Sequence, residues 1–459
     1  MIAHSIHNIS ERKLLLRVVD IIILLSSLFF SSFFIDFNYF TDFGLFSLKW
    51  ILLLLLYYLI FGEIFLLYDL NVSNNRFNIV RSIILTALFT TIFYIFTPYI
   101  TPSLPGNRIQ IIYLFLIISF PVIIWRYLYM CLICSPKYYK NIVLIGKSDK
   151  IKNLLTRIKN DNIHNINGYL SDKKVIGIDN FYDITKVNLS SFINKNAVLE
   201  VIVSLEGLSS EITDSLNKEL ILLFGEGIHI VSYESFYEEV TSRIPKAYLK
   251  NNFYNYINYS KNNYNRFYLL AIRFLDLTIS LMGITVFLIL IPFIFLGNLV
   301  ANRGSLFYSQ QRIGLNGKPF KIYKLRSMIK NAELNGAVWS KKNDSRITPF
   351  GKFLRNTRFD EFPQFFNILK GDMSIIGPRP ERLKFIKKLE LIIPFYSIRN
   401  TIRPGLTGWA QVKYPYANTI KDQEIKLRYD LYYIKERNAF LDFKILIKTF
   451  TTILFFRGK

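Results

Sequence analysis

A chain of 459 residues that is 51% hydrophobic and 16% aromatic is too apolar for an ordinary water-soluble protein and points to membrane segments. Its 57 Lys and Arg against 33 Asp and Glu leave a formal charge of +24, which implies an anionic partner: nucleic acid, anionic lipid or a phosphorylated substrate. The two cysteines, Cys131 and Cys134, form a lone C-x-x-C beside an apolar run, which reads as two small membrane-facing thiols and gives no sign of an oxidising compartment.

Four long apolar runs come first, near Val18–Ile35, Phe46–Leu67, Ser82–Ile100 and Ile109–Ile133, each long enough to cross a hydrocarbon core as a helix. The first has no small-residue cleavage site and further runs follow it, so it is not read as a cleavable signal peptide. Arg12, Lys13 and Arg17 precede it, Arg76 and Arg81 lie between the second and third, and Arg126, Lys137, Lys140 and Lys147 follow the fourth. This places both ends of a four-helix bundle, residues 1–139, on the cytoplasmic side. Asp20 and Glu63 sit near the ends of their runs and read as interfacial snorkelling residues.

Residues 140–250 alternate short buried strands (Asn141–Ile145, Val198–Leu205, Ile228–Tyr233) with helical stretches such as Ile151–Ile158, which predicts a small parallel α/β domain. After its first strand a dinucleotide fold would carry G-x-G-x-x-G. Here the chain reads Gly146-Lys147-Ser148-Asp149-Lys150, so the glycines for close pyrophosphate approach are missing. A degenerate Rossmann-like domain, regulatory or relic, is expected, with no dinucleotide bound. Residues 251–265, rich in Asn and Tyr, read as a linker.

A fifth apolar run, 274–300, opens the last unit, residues 266–459. Arg266 and Arg273 precede it; Arg303, Arg312, Lys318 and Lys321 follow, which favours keeping both ends cytoplasmic. Pro292 inside it removes a backbone hydrogen bond and kinks or breaks a helix. Residue physics alone leaves two readings level: a kinked fifth span, and a helix broken at Pro292 that enters and leaves by the same face.

All four histidines, His4, His7, His164 and His229, and both cysteines precede this last unit. If it is catalytic, carboxylates, hydroxyls or lysines must do the chemistry, and a metal there would be a hard cation such as Mg²⁺. Its densest polar cluster is Leu354–Glu381. Phe362, Phe365, Phe366 and Leu369 have helical spacing and predict a short amphipathic helix, with Pro363 in its first turn and Gly371 at its end. Asp360 and Glu361 would then sit at its N-terminus, where an acid is more often a simple cap or a complement to the helix dipole than a functional group. Arg355 and Arg358 lie just upstream. Gly377-Pro378-Arg379-Pro380-Glu381 presents one arginine on a rigid turn, and Arg403–Val412 is a second glycine-rich loop.

These motifs carry a family resemblance. Q-Q-R-I-G-L-N-G-K-P-F from Gln310, K-I-Y-K-L-R-S-M from Lys321, N-D-S-R-I-T-P-F-G from Asn343, D-E-F-P-Q-F-F-N-I-L-K-G-D-M-S-I-I-G-P-R-P-E from Asp360 and R-P-G-L-T-G-W-A-Q-V from Arg403 occur in one order. Residues 266–459 closely resemble the bacterial sugar transferase family, the monotopic phosphoglycosyl transferases. The bundle and degenerate domain look like the large members that initiate O-antigen, capsule or exopolysaccharide synthesis. The resemblance implies a multi-pass protein of the bacterial inner membrane with a cytoplasmic, mixed α/β catalytic domain and a re-entrant membrane helix broken at Pro292. It implies transfer of a sugar-1-phosphate from a UDP-sugar to polyprenyl (undecaprenyl) phosphate with release of UMP. It implies Asp360 as carboxylate nucleophile with Glu361 beside it, both also near a Mg²⁺ cofactor. Arg355, Arg358, Arg379, Lys324 and Arg326 become phosphate-binding candidates, and Pro378, Pro380, Glu381, Gly405, Thr407 and Gln411 nucleotide-loop candidates. Two positions depart from the family pattern: Ile291, where some members have Ser, and Arg358, at a position often small and polar. A homodimer is compatible with this reading and a nucleic-acid partner is not expected.

Three rival classes fit less well. A metal-dependent soluble-type glycosyltransferase commonly carries D-x-D, which is absent from the chain. A transporter leaves the polar last third unexplained, and positive-inside bias plus phosphate substrates account for much of the charge that a nucleic-acid binder would need.

Overall fold

The computed structural model describes residues 9–34, 45–69, 76–97, 101, 107–132, 140–158, 164–175, 180–185, 187–196, 198–249, 260–302, 304–329, 332, 344–414 and 419–454. The chain divides into two compact units, Met1–Phe236 and Tyr237–Lys459.

The first unit opens with α1 (Ile9–Phe34), α2 (Leu45–Ile64), α3 (Arg76–Ile95) and α4 (Ile109–Leu132). Stretches of α1, α3 and α4 are long and apolar enough to cross a membrane; α2 adds 20 residues whose charged members are Lys49 and Glu63. Helix α2 packs on α3, α3 on α4 and α4 on α1 around a shared core that includes Leu24, Leu54, Tyr58, Ile83 and Ile118. Asp20 does not snorkel. It is fully buried, and Arg126 of α4 donates to its Oδ2 at 2.6 Å while the Tyr58 hydroxyl donates at 3.3 Å. Glu63 pairs with Arg17, and both arginines lie over the Tyr68 ring. An unpaired charge inside a bundle is costly, so these acids are met by a base from a neighbouring helix.

The same unit continues with β1 (Lys140–Ile145), α5 (Ser148–Ile158), β2 (His164–Ser171), β3 (Phe181–Asp183), α6 (Leu189–Lys195), β4 (Glu200–Val203), α7 (Ser210–Gly225), β5 (His229–Ser232) and α8 (Tyr233–Thr241), whose last residues pass into the second unit. The five strands are parallel in the order β3-β2-β1-β4-β5, the doubly wound nucleotide-binding order without a sixth strand. At the switch point between β1 and β4, the chain satisfies the groups a phosphate would use. The Ser148 amide at the start of α5 donates to Asp172 (3.0 Å), and Lys150 reaches across to Ser204 (2.8 Å) and Glu234 (3.2 Å).

The expected domain boundary at residue 250 lies too late. Residues from Tyr237 onward belong to the second unit, because Ile244, Tyr248 and Leu249 enter its core and Ser242 and Ile244 accept from Trp409 and Arg428 at 2.8 and 2.7 Å. Most of the expected linker, 251–259, lies outside the described residues, as do Cys134, Asn343, Phe455 and Phe456.

The second unit is mixed α/β. Helix α9 (Arg266–Ala301) leads into an antiparallel hairpin, β6 (Phe307–Ile313) and β7 (Pro319–Leu325), in which Phe307 pairs with Leu325 and Ile313 with Pro319. Helix α10 (Pro349–Asn356), a 3₁₀ turn (Phe359–Glu361) and α11 (Gln364–Lys370) follow. Strand β8 (Ser374–Ile376) pairs in parallel with β9 (Gly405–Thr407), with α12 (Leu383–Glu390) between them in sequence. Helices α13 (Trp409–Lys413), α14 (Ile420–Glu436) and α15 (Ala439–Leu454) close the unit.

The run expected at 274–300 as two pieces is one helix, unbroken through Pro292. The proline deletes one hydrogen bond, but the surrounding turns keep theirs and the packed face holds the backbone straight enough to remain helical. That face is long. Asp276, Ser280, Phe287, Ile294 and Asn298 form its buried stripe, while Phe274, Met282, Leu288, Phe293 and Leu296 are exposed and apolar. Arg273 donates to the carbonyls of Ile368 and Leu369 (2.6 and 2.7 Å), Asp276 accepts from Ser374 and Ile375 (3.0 and 2.8 Å), and Asn298 donates to Gly304 (2.8 Å). Helix α15 is half core and half apolar surface: Leu441 and Ile445 are buried, whereas Phe440, Phe443 and Phe450 are exposed.

Candidate active site

Asp360 and Glu361 are buried on the 3₁₀ turn between α10 and α11. The expected helix is present as α11, ending at Gly371 in the left-handed region (φ 93°). Neither acid caps it: Pro363 occupies the N-cap position, and Asp360 makes no capping hydrogen bond. The buried face also differs from the expected phenylalanine stripe. Gln364, Asn367 and Ile368 face inward, and Asn367 joins strand β7 by accepting from the Tyr323 amide (3.1 Å) and donating to the Lys321 carbonyl (2.7 Å). Phe362 and Phe365 turn instead toward α9, where Phe362 packs edge-on against Phe287 and a Cβ on Gly283 would collide with the Phe365 ring.

The turn is created at Arg358, which adopts φ 61°, ψ 12°, a left-handed conformation that costs a non-glycine residue on the order of 1 kcal/mol. The strain brings Glu361 against three cations. Arg379 donates to its Oε1 at 2.7 Å, Lys324 to the same oxygen at 3.2 Å, and Arg358 lies 3.6 Å from Oε2. Burial would raise the Glu361 carboxyl, but Arg379, Lys324 and Arg358 outweigh it and hold it well below the usual range. Asp360 goes the other way. Burial and then the adjacent Glu361 charge raise its pKa, against the opposing pull of Lys324, Arg355 and Arg358. Among the described residues, those cations act on Asp360 through space and none bonds it directly. The result is an asymmetric pair of buried carboxylates: Glu361 bonded by cations, and Asp360 with no cation bonded to it among the described residues.

Arg355 is oriented by its Nε donating to Ser327 (2.8 Å). Arg326 points elsewhere, bonding Ser305 near the end of α9. The nucleotide-loop candidates divide similarly. Gly405, Thr407 and Gln411 support the Arg379 turn from behind. The Gly405 amide donates to the Pro378 carbonyl and Gly377 to the Thr407 carbonyl, both at 2.9 Å. A Cβ at Gly405 would collide with the Gly377 nitrogen, so glycine here permits the close approach of the two loops. Thr407 meets Thr449 (2.6 Å), and Gln411 donates to its own loop at Leu406 (3.1 Å). Pro380 is buried in the turn, and Glu381 is held by Lys426 (3.0 Å) and faces Arg312 (3.8 Å). Burial opposes its ionisation, but Lys426, Arg399 and Arg312 bring its carboxyl down to about 2.

Sequence reasoning missed the second layer. Arg399, buried against Asp430 (2.8 Å), donates to the Arg379 carbonyl at 2.9 Å. Lys426 and Asp430, one turn apart on α14, thus grip both sides of the Arg379 turn; their i, i+4 spacing was the available signal. In all, Lys324, Arg355, Arg358, Arg379, Arg312 and Lys426 set six positive charges against Asp360, Glu361 and Glu381. That surplus suits a diphosphate.

The model of the family described as bacterial sugar transferase matches residues 267–456. A Bacillus subtilis (strain 168) relative is 48% identical over 132 residues, 29% of this chain and 74% of its own length; its provisional name is undecaprenyl-phosphate N-acetylgalactosaminyl 1-phosphate transferase. The chain belongs to the bacterial sugar transferase family. An Aeromonas hydrophila member, UDP-N-acetylgalactosamine-undecaprenyl-phosphate N-acetylgalactosaminephosphotransferase, is 48% identical over 151 residues, 33% of this chain and 36% of that one. A Klebsiella pneumoniae member, UDP-glucose:undecaprenyl-phosphate glucose-1-phosphate transferase, is 39% identical over 150 residues, 32% of each. The alignments thus cover about a third of these longer relatives.

The donor set admits Mg²⁺ in one way. No group of three or more His, Cys, Asp or Glu side chains converges among the described residues, so a closed protein cage is absent. Mg²⁺ commonly takes one or two carboxylates plus water and substrate phosphates, and Asp360, the carboxylate of the pair to which no cation is bonded, fits that pattern with Glu361 beside it.

Proposed function

We propose that this sugar transferase moves a sugar-1-phosphate from a UDP-sugar to undecaprenyl phosphate through a covalent intermediate on Asp360, as the first step of a surface polysaccharide. The observation that carries the reading is the asymmetric pair: a buried Asp360 with no cation bonded to it beside a Glu361 bound by Arg379 and Lys324. N-acetylgalactosamine is the proposed sugar, because the two relatives at 48% identity carry it in their names and the glucose relative stands at 39%.

In the first step, an Asp360 carboxylate oxygen attacks the sugar-linked phosphorus, the bond to the bridging oxygen breaks, and UMP leaves with that electron pair. In the second, a phosphate oxygen of undecaprenyl phosphate attacks the same phosphorus and Asp360 departs as carboxylate. Two easier displacements replace one harder transfer. Arg379, Lys324 and Arg355 bind and orient the diphosphate and neutralise charge as it develops on the leaving oxygen. Asp360 and Glu361 would hold Mg²⁺, which when bound supplies further charge neutralisation. Glu361 keeps the guanidinium of Arg379 aimed at the site.

The same reading keeps the second unit on the cytoplasmic side. The contacts of α9 run from Arg273 to Asn298, a length of about 39 Å at 1.5 Å per residue, all with elements of one unit. A helix crossing the roughly 30 Å hydrocarbon core would separate those partners across the bilayer.

The test is trapping. Enzyme given Mg²⁺ and labelled UDP-N-acetylgalactosamine without lipid should release UMP in a burst and keep label on the peptide containing Asp360. Folded Asp360→Asn should do neither. Label that never appears on protein while the lipid product forms would make a one-step transfer the better account.

A further inference from the structure

We propose that the C-terminal end of α7 dips into the bilayer face at which α4 ends, and so holds the α/β domain of the first unit against the membrane. Ile221, Leu222 and Phe224 are 70%, 63% and 73% exposed at that end. Between residues 140 and 236 they are the only large apolar side chains so exposed among the described residues. Exposed apolar residues scattered singly are ordinary, but a domain that gathers all of its own on one turn of one helix marks a surface that something covers. Leu216, Leu220 and Leu223 already seat the opposite face of α7 on the core around Val201 and Val203, so the domain does not need the patch for its own packing.

The occupant follows from the topology. All five strands are parallel, so their first residues share one edge of the sheet. Strand β1 begins at Lys140 and the apolar helix α4 ends at Leu132, so the start of β1 lies within about 29 Å of that helix end even with the stretch between fully extended. A helix that joins two parallel strands runs back against them. Helix α7 therefore leaves the far edge after β4 and returns the chain to the start of β5 at His229, which puts Ile221, Leu222 and Phe224 at the edge where the chain arrives from α4. The charges are graded to match. Exposed Glu211 and Asp214 lie toward the far end of α7, whereas exposed Lys218 precedes the patch by one turn and exposed Lys195, the last residue of α6, shares its edge; Glu226 follows the helix. Apolar side chains flanked by lysines suit the boundary between headgroups and acyl chains. The backbone is prepared for a poorly hydrated layer as well. The carbonyls of Leu222, Leu223 and Phe224, which a helix end leaves without helical partners, accept from the amides of Glu226, Ile228 and Gly227, each at 3.1 Å. A second copy of the chain fits less well, because three side chains offer at most about 500 Å², below the roughly 800 Å² per partner of a stable interface.

The test puts a probe on the patch in the full-length chain. Leu222→Cys, in a background of Cys131→Ser and Cys134→Ser, is labelled with an NBD fluorophore and reconstituted in nanodiscs of phosphatidylethanolamine and phosphatidylglycerol, with and without a lipid that carries a doxyl quencher high on its acyl chain. The doxyl lipid should remove most of the emission at Leu222→Cys and little at Asp214→Cys, which lies about 12 Å back along the helix axis. Adding Ile221→Ser and Phe224→Ser to Leu222→Cys should abolish the quenching while the melting temperature holds, since both side chains lie outside the core. Emission at Leu222→Cys that the doxyl lipid leaves unchanged overturns the proposal, and disulfide-linked dimers of that variant would then identify a second copy as the occupant. Quenching that survives the two serines overturns it as well, because the connection to α4 alone would then keep the probe near the lipid. None of these readings uses turnover, so they stand or fall separately from the reaction at Asp360.

Discussion

At the scale of single residues, the site is held by opposed electrostatic pressures, and strain is stored at one position. Arg358 occupies a left-handed backbone conformation that Asn tolerates better, and it is also an ion partner of Glu361. Arg358→Asn should therefore raise thermal stability slightly, by up to about 1 kcal/mol, while slowing the UMP burst severalfold. A variant that loses both would show that Arg358 contributes more as a contact than it costs as strain. Glu381 allows a pH test with a definite sign. Its folded carboxyl lies at about 2 against an ordinary 4.5, so it contributes stability above pH 4.5 and loses it as pH falls toward 2. The shift corresponds to about 3 kcal/mol. Glu381→Gln should lower the melting temperature clearly at pH 6, and the gap should narrow as the pH is lowered through 4. Residue spacing alone read Asp360-Glu361 as a cap, and the family resemblance singled the pair out. Their environment was not legible. Nothing local indicates that Lys324, 37 residues away, and Arg379, 18 residues away, would converge on Glu361.

At the scale of elements, the length of the apolar runs located α1 to α4, and strand composition located β1, β4 and β5. Helical spacing located α11 but not its buried face, because packing overrode pattern. Phe362 and Phe365 pack toward α9 and Phe366 is exposed, so the residues that looked like an inward stripe are only partly covered and Asn367 is buried in their place. The boundary of the second unit was misjudged for a related reason. Tyr237–Leu249 follows directly on an α/β domain in sequence but contributes Ile244, Tyr248 and Leu249 to a different core. A protein starting at Tyr237 should keep the fold of the second unit, whereas one starting at Asn251 should lose roughly 5 kcal/mol or more, from three buried side chains at ~1.5–3 kcal/mol each. Hydrogen exchange across α14, which meets this segment through Arg428, would report the difference; equal protection in both proteins would make the segment dispensable.

At the scale of the whole molecule, the proposed topology keeps Ser305 and Ser345 inside. Cysteines introduced there should resist an impermeant thiol reagent in intact cells and react after lysis; efficient labelling from outside would mean that α9 crosses. If α9 does stay on one side, its apolar residues and those of α15 take up area in a single leaflet, like a wedge driven into one sheet of a laminate. Lateral pressure among the acyl chains then acts directly on a helix that braces Asp276 against β8 and Phe287 against the Asp360 turn. Lipids that crowd the headgroup plane and lipids that crowd the tails would push on that wedge in opposite directions. The enzyme's turnover would then be set in part by the curvature stress of the leaflet that supplies its own acceptor.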